Sequence, residues 1–218
     1  MTGEGLLIAS LDANVLAKPV TRTLLLRCMS SGYTLTWGPT AEAEAGRHRT
    51  DRQSAVAEVR AVAGLMLGVT GVNPERFVGT AEADRQILSD AEAAGARFLI
   101  TEDVDDFAVE DLRLAGVSAV NPDVFLAERA DRASYERALE VMVSGMRNPS
   151  RTAGELHAAI ARQHPRLFQR HHDLYDVPPQ ATGHAEPAVL FRGLTCLRCL
   201  MTQDDEDTLV LGVCSGCR

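Results

Sequence analysis

Four of the five cysteines stand near the C-terminal end as two Cys-x-x-Cys pairs, Cys196-Leu-Arg-Cys199 and Cys214-Ser-Gly-Cys217. Residues 200–213 separate them, a gap of ribbon-like length. Two thiolate pairs at such spacing close a tetrahedral zinc site. Between them, Asp204-Asp205-Glu206-Asp207 reads as a hairpin turn. A hairpin this small cannot bury enough apolar surface to fold alone, so bound Zn²⁺ would supply its folding energy. Disulfides or a redox dithiol would use the same residues. Cys28 lies in an apolar helical stripe and is expected to be a small buried hydrophobe, outside any metal site.

The second set of chemically capable residues is acidic. The run Leu6–Leu11 is apolar and ends in Asp12. That pattern fits a strand buried on both faces, with a carboxylate at its carboxyl end, where open α/β sheets bind ligands. Capping of the next helix is the alternative role for Asp12. Arg97–Thr101 is a second buried strand candidate, followed by Glu102, Asp103, Asp105 and Asp106. A helix is expected over Ala81–Ala94, with Thr80 as N-cap and Gly95 as stop. At ~100° per residue, Asp84 falls among Ile87, Leu88, Ala91 and Gly95, while Glu82, Arg85, Ser89, Asp90 and Glu92 point elsewhere. Complementing the helix dipole is the other role open to Asp84. Carboxylates gathered at two strand ends and one helix repel one another unless a divalent cation neutralises them. Oxygen ligands on short stems suit Mg²⁺ or Mn²⁺.

The elements that would position these groups alternate between strand and helix from residue 6 to 130. Pro19 opens a helix running to about Ser31, and Tyr33–Trp37 is a short strand. Gly38-Pro39-Thr40 leads a helix bearing Glu42 and Glu44. Gln53–Leu67 reads as a helix with Val56, Val59, Val62, Ala63 and Met66 inward. Val69–Gly79 is linker-like, Val117–Val120 is a last short strand, and a helix follows over Pro122–Ala130. This alternation predicts an α/β domain with a central parallel sheet and helices on both faces. Residues 131–177 read as helical, with a break at Asn148-Pro149, and the Pro/Gly/Ala-rich stretch from 178 to 192 reads as linker. A zinc ribbon is expected over 193–218.

Composition narrows the class further. The 218 residues carry 22 basic and 30 acidic side chains, a formal net charge of −8, which argues against a broad basic nucleic-acid surface. A local one remains open, because Arg162, His164, Arg166, Arg170, His171 and His172 cluster late in the chain. His171-His172 is expected on a solvated or RNA-facing surface. No apolar stretch approaches the ~20 residues of a membrane span. The N-terminus lacks the basic region of a signal peptide, so a cytoplasmic location is expected, where disulfides are disfavoured.

Several motifs together resemble those of PIN-domain ribonucleases, most of all the VapC-like toxins of bacterial toxin–antitoxin pairs. They are Leu11-Asp12-Ala13-Asn14-Val15-Leu16; Trp37 with Glu44 seven residues on; Asp84 through Ala91 with Gly95-Ala96; Thr101 with Asp106-Phe107; and Asn121-Pro122-Asp123-Val124-Phe125-Leu126. The likeness covers roughly residues 6–130. Arg147-Asn148-Pro149, Thr152, Glu155-Leu156, Pro165 and Phe168 extend it to the helical C-terminal segment of one branch. The resemblance implies a three-layer α/β/α fold with strand order 3-2-1-4-5. It also implies an acidic quartet holding one or two Mg²⁺ or Mn²⁺ ions. Matched position by position, the quartet is Asp12, Glu44, Asp84 and Asp103, with Asp106 as a frequent fifth. Glu42 lies one helical face from Glu44 and leaves that member open.

The expected activity is metal-dependent hydrolysis of RNA phosphodiester bonds, by a toxin that a small antitoxin covers and that forms a homodimer. A housekeeping PIN nuclease for rRNA or tRNA processing is the alternative enzyme. A non-catalytic zinc-ribbon protein that binds RNA or protein is the alternative from another class.

Overall fold

The computed structural model describes residues 7–47, 50, 53–146, 150–178, 187–203 and 209–218. The expected break at Arg147-Asn148-Pro149, linker residues 179–186 with His184, and the Asp204–Asp207 turn lie outside the described residues.

Strand β1 (Leu7–Leu11) leads into the short helix α1 (Ala13–Leu16) and then α2 (Pro19–Arg27). Strand β2 (Tyr33–Thr36) precedes α3 (Pro39–Arg47) and α4 (Val56–Val62). Then come α5 (Arg85–Ala93), β3 (Phe98–Ile100), α6 (Val109–Ala115), β4 (Ser118–Val120) and α7 (Pro122–Arg129). Helices α8 (Arg132–Gly145), α9 (Ala153–Ile160) and α10 (Pro165–Arg170) form the helical segment. The tail holds β5 (Phe191–Arg192), β6 (Leu209–Val210) and β7 (Val213–Cys214).

The result is a mixed α/β fold around a five-stranded sheet, ordered β2-β1-β3-β4-β5, in which the first four strands are parallel. Alternation along the strands divides the core by sheet face. Leu7, Ala9, Leu11, Leu35, Phe98 and Ile100 join one apolar cluster with residues of α2, α7 and α8. Leu99 and Ala119 join the other with Ile87, Leu88 and Leu112 of α5 and α6. On the first face, the Phe125 ring meets Tyr33 and Phe98 edge-on, with centroids 5.1 and 6.0 Å away. Cys28 is fully buried there, as its stripe predicts.

The strand order departs from 3-2-1-4-5. That order needs a strand beyond β2, and residues 69–79 carry none. Gly68 N–H still donates to the Trp37 carbonyl (2.9 Å), but Gly71, Pro74 and Gly79 then interrupt any ladder. Without it, the remaining strands follow as β2-β1-β3-β4. At the opposite edge the fifth strand is antiparallel and comes from the tail, pairing Ala119 with Arg192 and Val120 with Phe191.

Other expectations also shift. Helix α4 ends at Val62, with Gly64 at φ +68°, so Val62 and Met66, expected inward, are 87% and 85% exposed. Helix α5 starts at Arg85, four residues after the expected start, and Thr80 does not cap it. Instead the buried Thr80 donates its N–H to Asp111 Oδ2 (2.7 Å), and its hydroxyl accepts from the Ala108 N–H (3.3 Å). Ser89 and Asp90, expected to point away, are buried because the 71–72 segment lies over them. Ser89 Oγ donates to the Val72 carbonyl (3.1 Å), and Asp90 Oδ1 accepts from Gly71 N–H (2.8 Å). The late basic cluster is split: His164 and His171 are buried, the latter stacked on Tyr135 at 4.9 Å, and His172 stays exposed. No helix among the described residues is long and apolar enough to cross a membrane.

Candidate metal centres

Asp12 occupies the position where β1 ends and α1 begins, and is 4% exposed. Its Oδ1 accepts the Ala13 N–H (2.5 Å), so it caps α1, and its Oδ2 accepts the Thr101 hydroxyl (2.6 Å) from the end of β3. Asp12 therefore plays the helix-capping role that its sequence position left open. Burial raises its carboxyl to about 6 against these two hydrogen bonds, and the negative charges of Asp84 and Glu44 push the same way.

Asp84 is the N-cap residue of α5, but its side chain makes no capping hydrogen bond. It is half-buried, and its carboxyl is raised to about 6 by desolvation and by the charges of Asp106, Glu44 and Asp103. Asp103 precedes a single 3-10 turn (Val104–Asp106) after β3, and Asp106 ends it. Asp106 is itself raised, by desolvation and then by Asp103 and Asp105. The five expected carboxylates thus share one electrostatic neighbourhood at the carboxyl edge of β1 and β3. Among the described residues no lysine or arginine pairs with Asp12, Glu44, Asp84, Asp103 or Asp106. Lys18 is paired with Glu102 on the rim.

The two glutamates of α3 have different surroundings. Glu42 accepts from Arg60 Nε (2.9 Å) and from the Trp37 indole (2.8 Å). These bonds outweigh desolvation and hold its carboxyl below the usual range. Glu44 is the one whose charge reaches Asp12 and Asp84.

Two residues with no expected role order the acids. Asn14 Nδ2 donates to Asp103 Oδ2 (3.0 Å) and to Thr101 Oγ1 (3.1 Å). Thr101 Oγ1 also accepts from the Asp103 N–H (3.1 Å), so one hydroxyl ties Asp12 to the acidic turn. Both residues lie inside the motifs quoted above, and a polar residue ending a buried strand was the available signal.

Asp12 is buried, Glu44 and Asp84 are half-buried, and Asp103 and Asp106 are exposed. Desolvation first and neighbouring carboxylates second raise Asp12, Asp84 and Asp106. Oxygen donors of this kind suit a hard divalent cation. They are more widely spread than the cysteines: among the described residues, no three carboxylates bring ligand atoms within 4.8 Å of one another.

The raised carboxyls carry a pH prediction. An acid whose folded pKa lies above its unfolded value stabilises the fold at low pH, and that stability is lost as pH rises through the folded pKa. Replacing Asp12 by Asn mimics the protonated carboxyl: it removes the charge and keeps one of the two acceptor oxygens. Stability of the Asp12→Asn protein without added metal should therefore exceed wild type by on the order of 2 kcal/mol above pH 6. The gain should vanish towards pH 4, and urea unfolding at pH 7.5 and 4 reads it. His157 and His164 have the opposite sign, since burial lowers both to about 4 and their contribution is lost as pH falls from 6.5. Comparing mutant with wild type at each pH cancels it.

The second centre is the tail. Sγ atoms of Cys196, Cys199, Cys214 and Cys217 all lie within 4.8 Å of one another. The Cys199–Cys214 separation of 3.8 Å equals the edge of a tetrahedron with bonds of about 2.3 Å, the zinc–thiolate length. All four thiols are free of disulfides. Cys214 N–H donates to the buried Cys196 Sγ (3.4 Å). Burial alone would raise that thiol, but N–H groups of Cys214, Cys199 and Arg198 outweigh it and favour the thiolate. Strands β6 and β7 form a tight hairpin in which Leu211 and Gly212 both have positive φ (48° and 76°), as a two-residue turn requires. The cluster can hold a metal ion such as zinc.

The tail is also built into the sheet. Strand β5 falls at 191–192, inside the stretch read as linker. Leu190 and Leu197 join the larger core cluster, Thr195 N–H donates to Ser118 Oγ (3.1 Å), and Arg198 pairs with Glu128 (2.5 Å). Comparison with known protein families, curated proteins and solved structures finds no match to this chain.

Proposed function

We propose that this protein is a divalent-metal-dependent endoribonuclease with a VapC-like toxin role. Its substrate would be RNA, and a small antitoxin and a second copy of the chain would be its protein partners. One observation carries the chemistry: Asp12, buried at the end of β1, feels the negative charges of Asp84 and Glu44, and among the described residues no cationic side chain pairs with it. The toxin role rests on the motif resemblance alone.

In this reading Asp12, Glu44, Asp84 and Asp103 hold Mg²⁺ or Mn²⁺, and Asp106 lies at the rim. Such an ion supplies a water nucleophile at neutral pH and charge stabilisation for the leaving 3′ oxygen. Thr101 and Asn14 fix the carboxylates in register. Lys18, tied to Glu102 beside the acids, offers a positive group to the phosphodiester backbone. Deprotonation of Asp12 and Asp84 near pH 6 would open the site to a cation.

The two glutamates of α3 make the test selective. Glu44→Gln should weaken Mn²⁺ binding, read by electron paramagnetic resonance, by about 10–100-fold and lower RNA cleavage with it. Glu42→Gln should leave Mn²⁺ affinity near wild type, since its partners are Arg60 and Trp37. The reading fails if the wild-type protein binds no Mn²⁺, or if neither Mg²⁺ nor Mn²⁺ supports RNA cleavage.

A further inference from the structure

Arg192 lies on β5, yet its guanidinium reaches the acidic turn. Its Nη1 donates to the carbonyls of Asp105 (3.0 Å) and Phe107 (3.1 Å), bracketing Asp106. The same turn is held from other sides by Ala81 N–H on the Asp106 carbonyl (3.3 Å) and by Asn14 on Asp103. Arg192 is therefore one of a few ties that set where Asp103 and Asp106 stand.

What holds Arg192 is the cysteine-bearing tail. A two-residue edge strand has little stability of its own. Strand β5 pairs with β4 on one side, and its Phe191 ring packs on the knuckles. A Cβ added at Gly212 would sit 2.7 Å from both Phe191 Cδ2 and Leu197 Cδ1, so the second Cys-x-x-Cys arm presses directly on β5 and on the first arm. Leu197 N–H donates to the Gly212 carbonyl (2.7 Å), closing that contact. At Gly193, φ is +129°, and a Cβ would meet Ser118 Oγ at 2.4 Å, so the chain lies flat on β4 before entering the first arm. Arg97 and Arg129 clamp the arm from the sheet side through the carbonyls of Leu200 (2.7 Å) and Leu197 (3.2 Å).

We infer that the metal-bound tail is a strut for the acidic centre, with Arg192 as its positioning residue. Metal held by the four cysteines keeps β5 seated, and Arg192 passes that order to the turn bearing Asp103 and Asp106. The inference rests on the metal-site reading of those carboxylates, and it makes the tail a regulator of that site rather than a separate binding module.

The test uses the full-length protein loaded with zinc, comparing wild type, Arg192→Met, Arg192→Lys and zinc-stripped wild type. Hydrogen exchange of peptides spanning 101–108 is read beside β1 and β2 peptides, zinc content and Mn²⁺ affinity. Arg192→Met should retain its zinc and speed exchange at 103–107 about tenfold, as the loss of ties to two carbonyls predicts. Exchange in β1 and β2 should be unchanged. Mn²⁺ affinity should fall about 10–100-fold, the usual cost of losing an outer-shell partner. Zinc-stripped wild type should reproduce the exchange pattern at 103–107. Arg192→Lys, which keeps one cationic donor, should fall between. If Arg192→Met does not fold, Arg192→Lys and the zinc-stripped protein still decide. Unchanged exchange at 103–107 in the soluble variants, or in the zinc-stripped protein, would overturn the strut. A wild type that binds no Mn²⁺ while exchange still responds to Arg192 would leave the strut standing and remove the nuclease reading.

Discussion

If the acids form the proposed nuclease site, the Asp84→Asn protein should lose RNA cleavage by on the order of 10²–10³-fold, the cost of removing one preorganised electrostatic group, while becoming no less stable. Asn has the shape of Asp and none of its charge. Asp84 makes no capping hydrogen bond at the start of α5, so the change breaks no bond there. Its carboxyl is pushed up by desolvation and by Asp106, Glu44 and Asp103, so removing the charge relieves repulsion in the metal-free protein. A helix-dipole partner would behave in the opposite way. Activity would survive, and stability would fall by roughly 0.3–1 kcal/mol. Thermal melts without divalent metal, run beside a Mn²⁺-dependent cleavage assay, separate these outcomes. An active, destabilised mutant would remove Asp84 from the site. Because Asp84 is only half-buried, the stability gain should be smaller than that for Asp12→Asn.

Metal analysis should find one zinc per chain, bound through Cys196, Cys199, Cys214 and Cys217, and none in a chain ending at Glu186. The sequence alone suggests that such a shortened chain would fold unaided, with its nuclease-like part intact. The structure changes that expectation, because the tail contributes β5 and the core residues Leu190 and Leu197. Each buried leucine is worth about 1.5–3 kcal/mol. At roughly 2–4 °C per kcal/mol for a chain of this size, melting should fall by about 10 °C or more. Chelation of zinc from the full-length protein should lower melting in the same direction. The Cys28→Ser protein should keep its full zinc content, since Cys28 is buried in the main core with its thiol pushed up to about 12, chiefly by burial. Equal zinc in the full and shortened chains would refute the cysteine centre.

Local chemistry and periodicity by themselves determined the α/β class, the places of β1, β2, β3 and β4, and the identity of the four clustered cysteines. Those features depend on runs of a few residues, where apolar patterning or ligand spacing is the dominant physical term. The acidic residues at the ends of β1 and β3 were legible for the same reason. Tertiary structure decided the rest. Glu42 and Glu44 are two positions apart on one helix, and only the arrival of Arg60 and Trp37 beside Glu42 separates their roles. His164 and His171 sit in a polar stretch, and burial against Thr21 and Tyr135 came from elements far away in sequence. Residues 69–79 could not reveal which sheet edge they would leave unpaired. Nor could Phe191-Arg192 announce an antiparallel strand, because two residues carry no period. Its place was chosen by long-range packing of Phe191 on Gly212 and by the reach of Arg192 to Asp105 and Phe107, contacts that join segments tens of residues apart and leave no mark on local sequence.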